Sequence, residues 1–227
     1  MINSIIERHS KLTPLSETEI RIVRAAAKLF LEHGFSKTTQ RMIAEESGIG
    51  LGTLTYHFRT KEDLLQLLIE ELMDFHSDVI EESAEKTNDN LFSYAMEIAV
   101  QIALCENDKK AWDLYYSAYS HPASFSYIKD WAAKKTYNLL GGRLPHLRES
   151  DFRNLENITS GIELAAFISP CDRYYTLADK IVLTLDCMLK IYDVSAEERK
   201  SVTEKLRAFD YSTVSMQLFE KFSNKLK

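Results

Sequence analysis

The sequence predicts an all-α fold, on three observations. Glycine and proline are scarce, seven and four in 227 residues, which disfavours loop-rich β architectures. Apolar residues recur at helical spacing along most of the chain. No stretch alternates polar and apolar residues for long enough to make a strand, and no repeat of solenoid period is present.

The elements follow in order. Ser16-Glu17-Thr18-Glu19 reads as a capping box, the Ser16 hydroxyl serving the Glu19 amide while Glu19 reaches back. Ile20, Val23, Ala27, Phe30 and Leu31 then line one helical face, and Gly34 supplies a left-handed stop. Thr38-Thr39 is an N-cap pair for a two-turn helix through Met42, Ile43 and Ala44 that ends at Gly48. Thr60-Lys61-Glu62-Asp63 starts a long fourth helix through Leu64, Leu65, Leu68, Ile69, Leu72 and Phe75. Its Glu70, Glu71, Asp74, Asp78, Glu81 and Glu82, with His76 nearby, read as a solvated acidic face. Further helices are expected near 89–105, 108–121, 123–140, 151–169 (capped by Ser150) and 176–192. A last one covers 195–227 behind the box Ser195-Ala196-Glu197-Glu198.

Three of the seven glycines fall in GIGLGTLTYHF, residues 48–58. A two-turn helix, a glycine turn and a second short helix make the layout of a helix-turn-helix. Gly48 suits the positive φ of the turn, and Ile49, Leu54 and Phe58 point inward. Gly50 and Gly52 leave a bare helix start whose amides can approach another surface, a phosphate above all.

With AAAKLFLEHGFSKTT, MIAEESGIGLGTLTYHF and RTKEDLL in this order, residues 16–76 resemble the DNA-binding domain of the TetR family of bacterial transcriptional regulators. The resemblance covers about a quarter of the chain. It implies a three-helix DNA-binding domain at 16–76, with its motif at about 39–58, behind an N-terminal arm at 1–15. The fourth helix would join it to a helical ligand-binding and dimerisation domain at 77–227, making about ten helices in all. The implied recognition helix is 51–58, and the implied DNA contacts are Thr39, Gln40, Arg41, Gly50, Leu51, Gly52, Thr53, Thr55, Tyr56, His57 and Lys61. Tyr56, His57 and Lys61 suit backbone phosphates. Leu51 and Thr55 depart from the family pattern, which often has a polar or basic residue and an aromatic one there; Leu51 can meet a thymine methyl but cannot hydrogen-bond a base.

Net charge is −6, with residues 1–62 at +2 and the remainder at −8, so the less acidic surface lies at the N-terminal end. Cys105, Cys171 and Cys187 are odd in number and widely spaced, which points to reduced thiols in a cytoplasm and no zinc site. No apolar run spans a bilayer and the first residues carry charges, so neither a membrane partner nor a signal peptide is expected. The six histidines are scattered, with no metal-ligand spacing, nucleophile elbow or phosphate loop. No catalytic residue, metal or cofactor is therefore expected.

Two candidate sites remain. Trp112, Tyr115, Tyr116, Tyr119, Phe125 and Trp131, with Glu163, have the composition of an apolar ligand pocket with polar anchors, or of core packing. By resemblance, helices 151–169 and 176–192 would form the homodimer interface, with Ala165, Ala166, Ile181, Leu185, Met188 and Leu189 as its apolar faces. The expected protein is a homodimeric regulator, a repressor on a near-palindromic double-stranded operator released by a small, largely apolar or aromatic effector. The competing readings are an all-α binding or interaction protein whose helix-turn-helix has reduced operator specificity, and an enzyme built on a helical cavity, which would need converging catalytic side chains near Glu163 or His121.

Overall fold

The computed structural model describes residues 15–84 and 89–226 of the chain; all but one residue of the expected N-terminal arm lie outside them. Eleven α-helices and one 3-10 turn account for the regular structure, with no strand among the described residues. They are α1 (Glu17–His33), α2 (Gln40–Ser47), α3 (Leu51–His57), α4 (Lys61–Ala84), α5 (Asn90–Asn107), α6 (Lys109–Ser120), α7 (Pro122–Leu140), α8 (Glu149–Ile168), α9 (Leu177–Ile191), α10 (Ala196–Arg207) and α11 (Tyr211–Leu226).

The caps form where side-chain chemistry dictates. The Ser16 hydroxyl accepts the Glu19 amide at 3.3 Å while the Glu19 carboxylate accepts the Ser16 amide at 2.8 Å. Thr60 with Asp63, Thr176 with Asp179 and Ser195 with Glu198 repeat the exchange. Ser150 is not the cap of α8: the helix begins one residue earlier, and Asp151 accepts the Arg148 amide at 2.8 Å. The expected single helix over 195–227 is two helices. Its break at 208–210 follows from Asp210, whose carboxylate accepts the Thr213 amide at 3.0 Å and so starts α11 afresh. Gly34 ends α1 with φ +90° and ψ 156°, a positive φ but not the left-handed helical geometry; Gly48, at φ +67° and ψ 35°, has that geometry.

The chain divides into two compact units. The first holds the described residues up to Phe75, then 109–125 and 219–226. The return of α6 and the last turns of α11 to this unit did not show in the sequence. Ile22, Phe30, Ile43 and Leu54 are fully buried in its centre, each contributing about 1.5–3 kcal/mol of hydrophobic stabilisation. Phe35 closes on Phe30 edge-to-face at 5.1 Å.

The second unit holds 76–108 and 126–218. Helix α5 runs through its middle, buried on all sides from Ser93 to Cys105. Several polar groups taken into this core are paired. The Lys180 ammonium meets Glu106 at 2.6 Å, Lys135 meets Glu97 and the Ser77 hydroxyl at 2.6 Å, and Tyr192 donates to Glu156 at 2.6 Å. The Glu156 carboxyl is pushed up by burial, against hydrogen bonds from Tyr192, Thr159 and Thr136. The expected solvated face of α4 is overturned at two positions, because Glu71 and His76 are both buried.

Candidate nucleic-acid interface

Helices α2 and α3 carry most of the residues expected to touch DNA, and the turn between them is fixed by backbone geometry. Gly48 adopts φ +67°, its amide closing on Ala44 and Glu45, and the Ile49 amide returns to Ala44 at 3.0 Å. Leu54 is fully buried and Phe58 nearly so, which rotates the opposite face of α3 outward. On that face Leu51 is 41% and Tyr56 83% exposed. Thr53 and Thr55 are exposed beside them. A Cβ added at Gly50 or at Gly52 would meet no atom within 4 Å. Nothing inside this molecule therefore requires glycine at either position, and both lie at the exposed start of α3.

Several expected contacts already have partners within the chain. Thr39 caps α2, its hydroxyl accepting the Met42 amide at 3.2 Å. Gln40 donates to the Arg59 carbonyl at 3.0 Å. The Thr55 hydroxyl returns to the carbonyls of Leu51 and Gly52, both at 3.1 Å. His57 Nδ1 lies 3.2 Å from the Glu19 carboxylate. Burial raises the Glu19 pKa, but the hydrogen bonds from Ser16 and the neighbouring His57 outweigh it and hold this carboxyl below its usual range. The ammonium of Lys61 turns inward, donating to the carbonyls of Phe35 at 2.9 Å and Thr38 at 3.1 Å, 4.0 Å above the Phe35 ring. It thus stitches α4 to the α1–α2 turn instead of pointing at solvent. Lys61→Met, which keeps the stem and removes the donors, should lower unfolding free energy by about 1–3 kcal/mol in urea titrations. An unchanged midpoint would show that the two carbonyls do not depend on the ammonium.

Arg41 is exposed on α2, and the sequence reading overlooked a second basic strip on α1. Arg21, Arg24 and Lys28 follow one another at helical spacing and line an open groove of about 460 Å³ with Ala25, Glu32, Glu46 and Ser47. The spacing was visible in the sequence; the Lys28–Glu46 ion pair across it, at 2.6 Å, was not.

The predicted pocket residues come from both units. In the first unit, Tyr115 is fully buried and Tyr119 nearly so, packed on Phe125 at 5.4 Å, while Trp112 stacks on the exposed Tyr116 at 4.9 Å. Trp131 and Glu163 belong to the second unit, where Glu163 is buried and Trp131 lies 5.1 Å from the Lys135 ammonium. Of the predicted dimer residues only Ala165 is exposed. Ala166, Ile181, Leu185, Met188 and Leu189 are buried within the protomer. The apolar surface left open on these helices is different: Ile158, Ile168 and Leu183, each more than half exposed, with Gly161 and Ala165 between the first two.

Known proteins share this arrangement. Residues 22–68 match the family described as "Bacterial regulatory proteins, tetR family". Over 60 residues the chain is 37% identical to the HTH-type transcriptional regulator TtgR of Pseudomonas putida, a match covering 26% of this chain and 29% of that one. Over 58 residues it is 43% identical to an HTH-type transcriptional regulator of Staphylococcus aureus, covering 26% and 31%. These matches span less than a third of either relative. Among solved structures, RolR in complex with resorcinol aligns over 82% of this chain and 93% of its own, with a TM-score of 0.59 and 19% identity. Thermus thermophilus FadR, a TetR-family repressor in complex with lauroyl-CoA, aligns over 77% and 95%, with a TM-score of 0.56 and 21% identity. Those two likenesses are of fold. Its segment 22–68 is that of the tetR family of bacterial regulatory proteins, and the likeness of the rest of the chain is one of fold.

Proposed function

We propose that this chain is a ligand-responsive transcriptional repressor that binds a near-palindromic double-stranded DNA operator as a homodimer. The observation that carries the DNA-binding part is the open face of α3, where Leu51, Thr53 and Tyr56 stand exposed beside two glycines whose absent side chains nothing in the molecule requires. Tyr56 and Arg41 are the phosphate contacts, and Leu51 and Thr53 meet base edges in the major groove. Lys61 and His57, already bonded within the domain, act by holding its helices together.

Dimerisation uses the exposed strip of Ile158, Gly161, Ala165 and Ile168 on α8 with Leu183 on α9, in place of the buried residues expected from the sequence. Small residues between large apolar ones let two helices approach closely, and a strip of this kind left in water favours a partner of equal character. The effector is a small, largely apolar or aromatic molecule taken up in the second unit, with the buried carboxyls of Glu156 and Glu163 offering polar anchors. Resorcinol, bound in the RolR structure, is the first probe. The effector must bind the non-operator state more tightly for release to follow.

The test is fluorescence anisotropy on a labelled duplex recovered from a random library by the full chain, against random DNA at the same salt. A preference of about a thousandfold is expected. Tyr56→Phe and Arg41→Ala should each weaken all sequences alike, Arg41→Ala also lowering the salt slope by about one. Equal, weak binding to both duplexes would instead support an interaction protein with a degenerate reading head.

A further inference from the structure

The turn that joins α1 to α2 is gripped from outside the helix-turn-helix. Asp113, on α6, accepts the Ser36 amide at Oδ2 with a distance of 2.7 Å, and its Oδ1 accepts the Ser36 hydroxyl. Gly34 makes room for it. A Cβ there would stand 2.8 Å from Asp113 Oδ2, and the φ of +90° is one that side chains rarely adopt. On the same helix Lys110 reaches toward the Glu32 carbonyl at 3.5 Å. From the opposite side Lys61 holds the carbonyls of Phe35 and Thr38, so every residue from 34 to 38 except Lys37 is fastened by α4, by α6 or by its own helix end. This turn leads directly into Thr39, the cap of α2.

Between Phe75 and Lys109 the chain belongs to the second unit, so the grip on this turn is made by residues 77 positions downstream of it. We infer that Asp113 is a positioning residue for operator binding, its carboxylate setting the pose of α2, and through it of α3, by clamping Ser36. The inference rests on the DNA-binding reading above and deepens it: the DNA-reading body is then residues 16–75 together with α6.

Electrostatics and positioning predict opposite signs, which makes the idea testable. Removing a negative charge from a DNA-binding body strengthens its attraction to phosphates. Losing the clamp lets α2 wander and weakens recognition of the correct sequence. Asp113→Asn is nearly isosteric but offers one acceptor to two donors. In the full chain it should weaken binding to the library-selected duplex about tenfold, the worth of one charge-assisted hydrogen bond. Binding to poly(dI-dC) should stay equal or tighten. Amide exchange at residues 34–40 should accelerate about tenfold without a matching change in the rest of the first unit. Ser36→Ala, which keeps the amide bond, should show a smaller loss, and the double variant should lose less than the two added together.

Unchanged or tighter binding to the selected duplex by Asp113→Asn would overturn the inference. So would faster exchange spread evenly through the first unit, since that is what a merely stabilising carboxylate would do. If the unmodified chain selects no sequence at all, it is the DNA-binding reading that fails.

Discussion

In the proposed dimer, Ile158→Asp combined with Leu183→Asp is expected to give monomers and to lower affinity for the library-selected duplex by about a thousandfold, to the level of random DNA. The two residues are 56% and 55% exposed in the protomer, so the substitutions replace apolar side chains that no core requires. Folding of the single chain should survive, with an unfolding temperature within a few degrees of the parent. Association should not survive, because two carboxylates per protomer would have to be buried against their own copies. In the proposed complex, α3 with its seven residues would read only a few base pairs, and specificity would come from two such helices at fixed spacing on two half-sites. Light scattering after size exclusion gives the mass, and anisotropy with the selected duplex gives the affinity. A double variant that remains dimeric, or a monomer that keeps full operator affinity, would sink this assignment. The buried residues of α9 offer the contrast: Leu185→Asp should unfold the second unit instead of separating intact protomers, because Leu185 is fully buried.

The second large effect concerns pH. His76 is almost completely buried, and burial, helped by the positive charge of Lys135, lowers its pKa from 6.5 to about 3. The folded chain therefore keeps this ring neutral while the unfolded chain protonates it near pH 6.5. Above that pH both states are neutral and the group does not affect stability. As pH falls from 6.5 toward 3 only the unfolded state gains the proton, so stability declines by about 1.4 kcal/mol for each pH unit. His76→Gln removes this linkage. The gap between parent and variant in urea unfolding free energy should move by about 2 kcal/mol in favour of the variant between pH 7 and pH 5. Parallel pH profiles would mean that the ring is hydrated or charged in the folded protein. Carboxylates such as Glu198, held to about 2 chiefly by Arg143, also favour the native state above their unfolded pKa, but they act equally in both proteins and cancel in the difference.

The N-terminal domain was legible because its signals are local. The hydroxyl of Ser16 and the carboxylate of Glu19 sit three residues apart, and the φ of Gly48 is a demand of one turn. Leu54 and Phe58 against Leu51 and Thr53 is a matter of helical phase, which periodicity encodes. The partners of Lys61 were not legible for a complementary reason. A lysine at an exposed helix start looks solvent-directed, and only the nearby Phe35 and Thr38 carbonyls show that its charge is engaged.

The sequence by itself determined the class of the fold, the positions of most helix starts, the helix-turn-helix and the outward face of its second helix. Each of these depends on residues within about a dozen positions of one another. The tertiary structure alone decided which apolar stripe of α9 faces its own core and which of α8 stays open. It also decided that α6 returns to the first unit, that Asp113 clamps Ser36, and that His76 is buried in an otherwise acidic stretch. Helical periodicity reports that a face is apolar, but not what will cover it. Contacts between residues 36 and 113 form through the closure of a long loop, for which single-chain spacing carries no code.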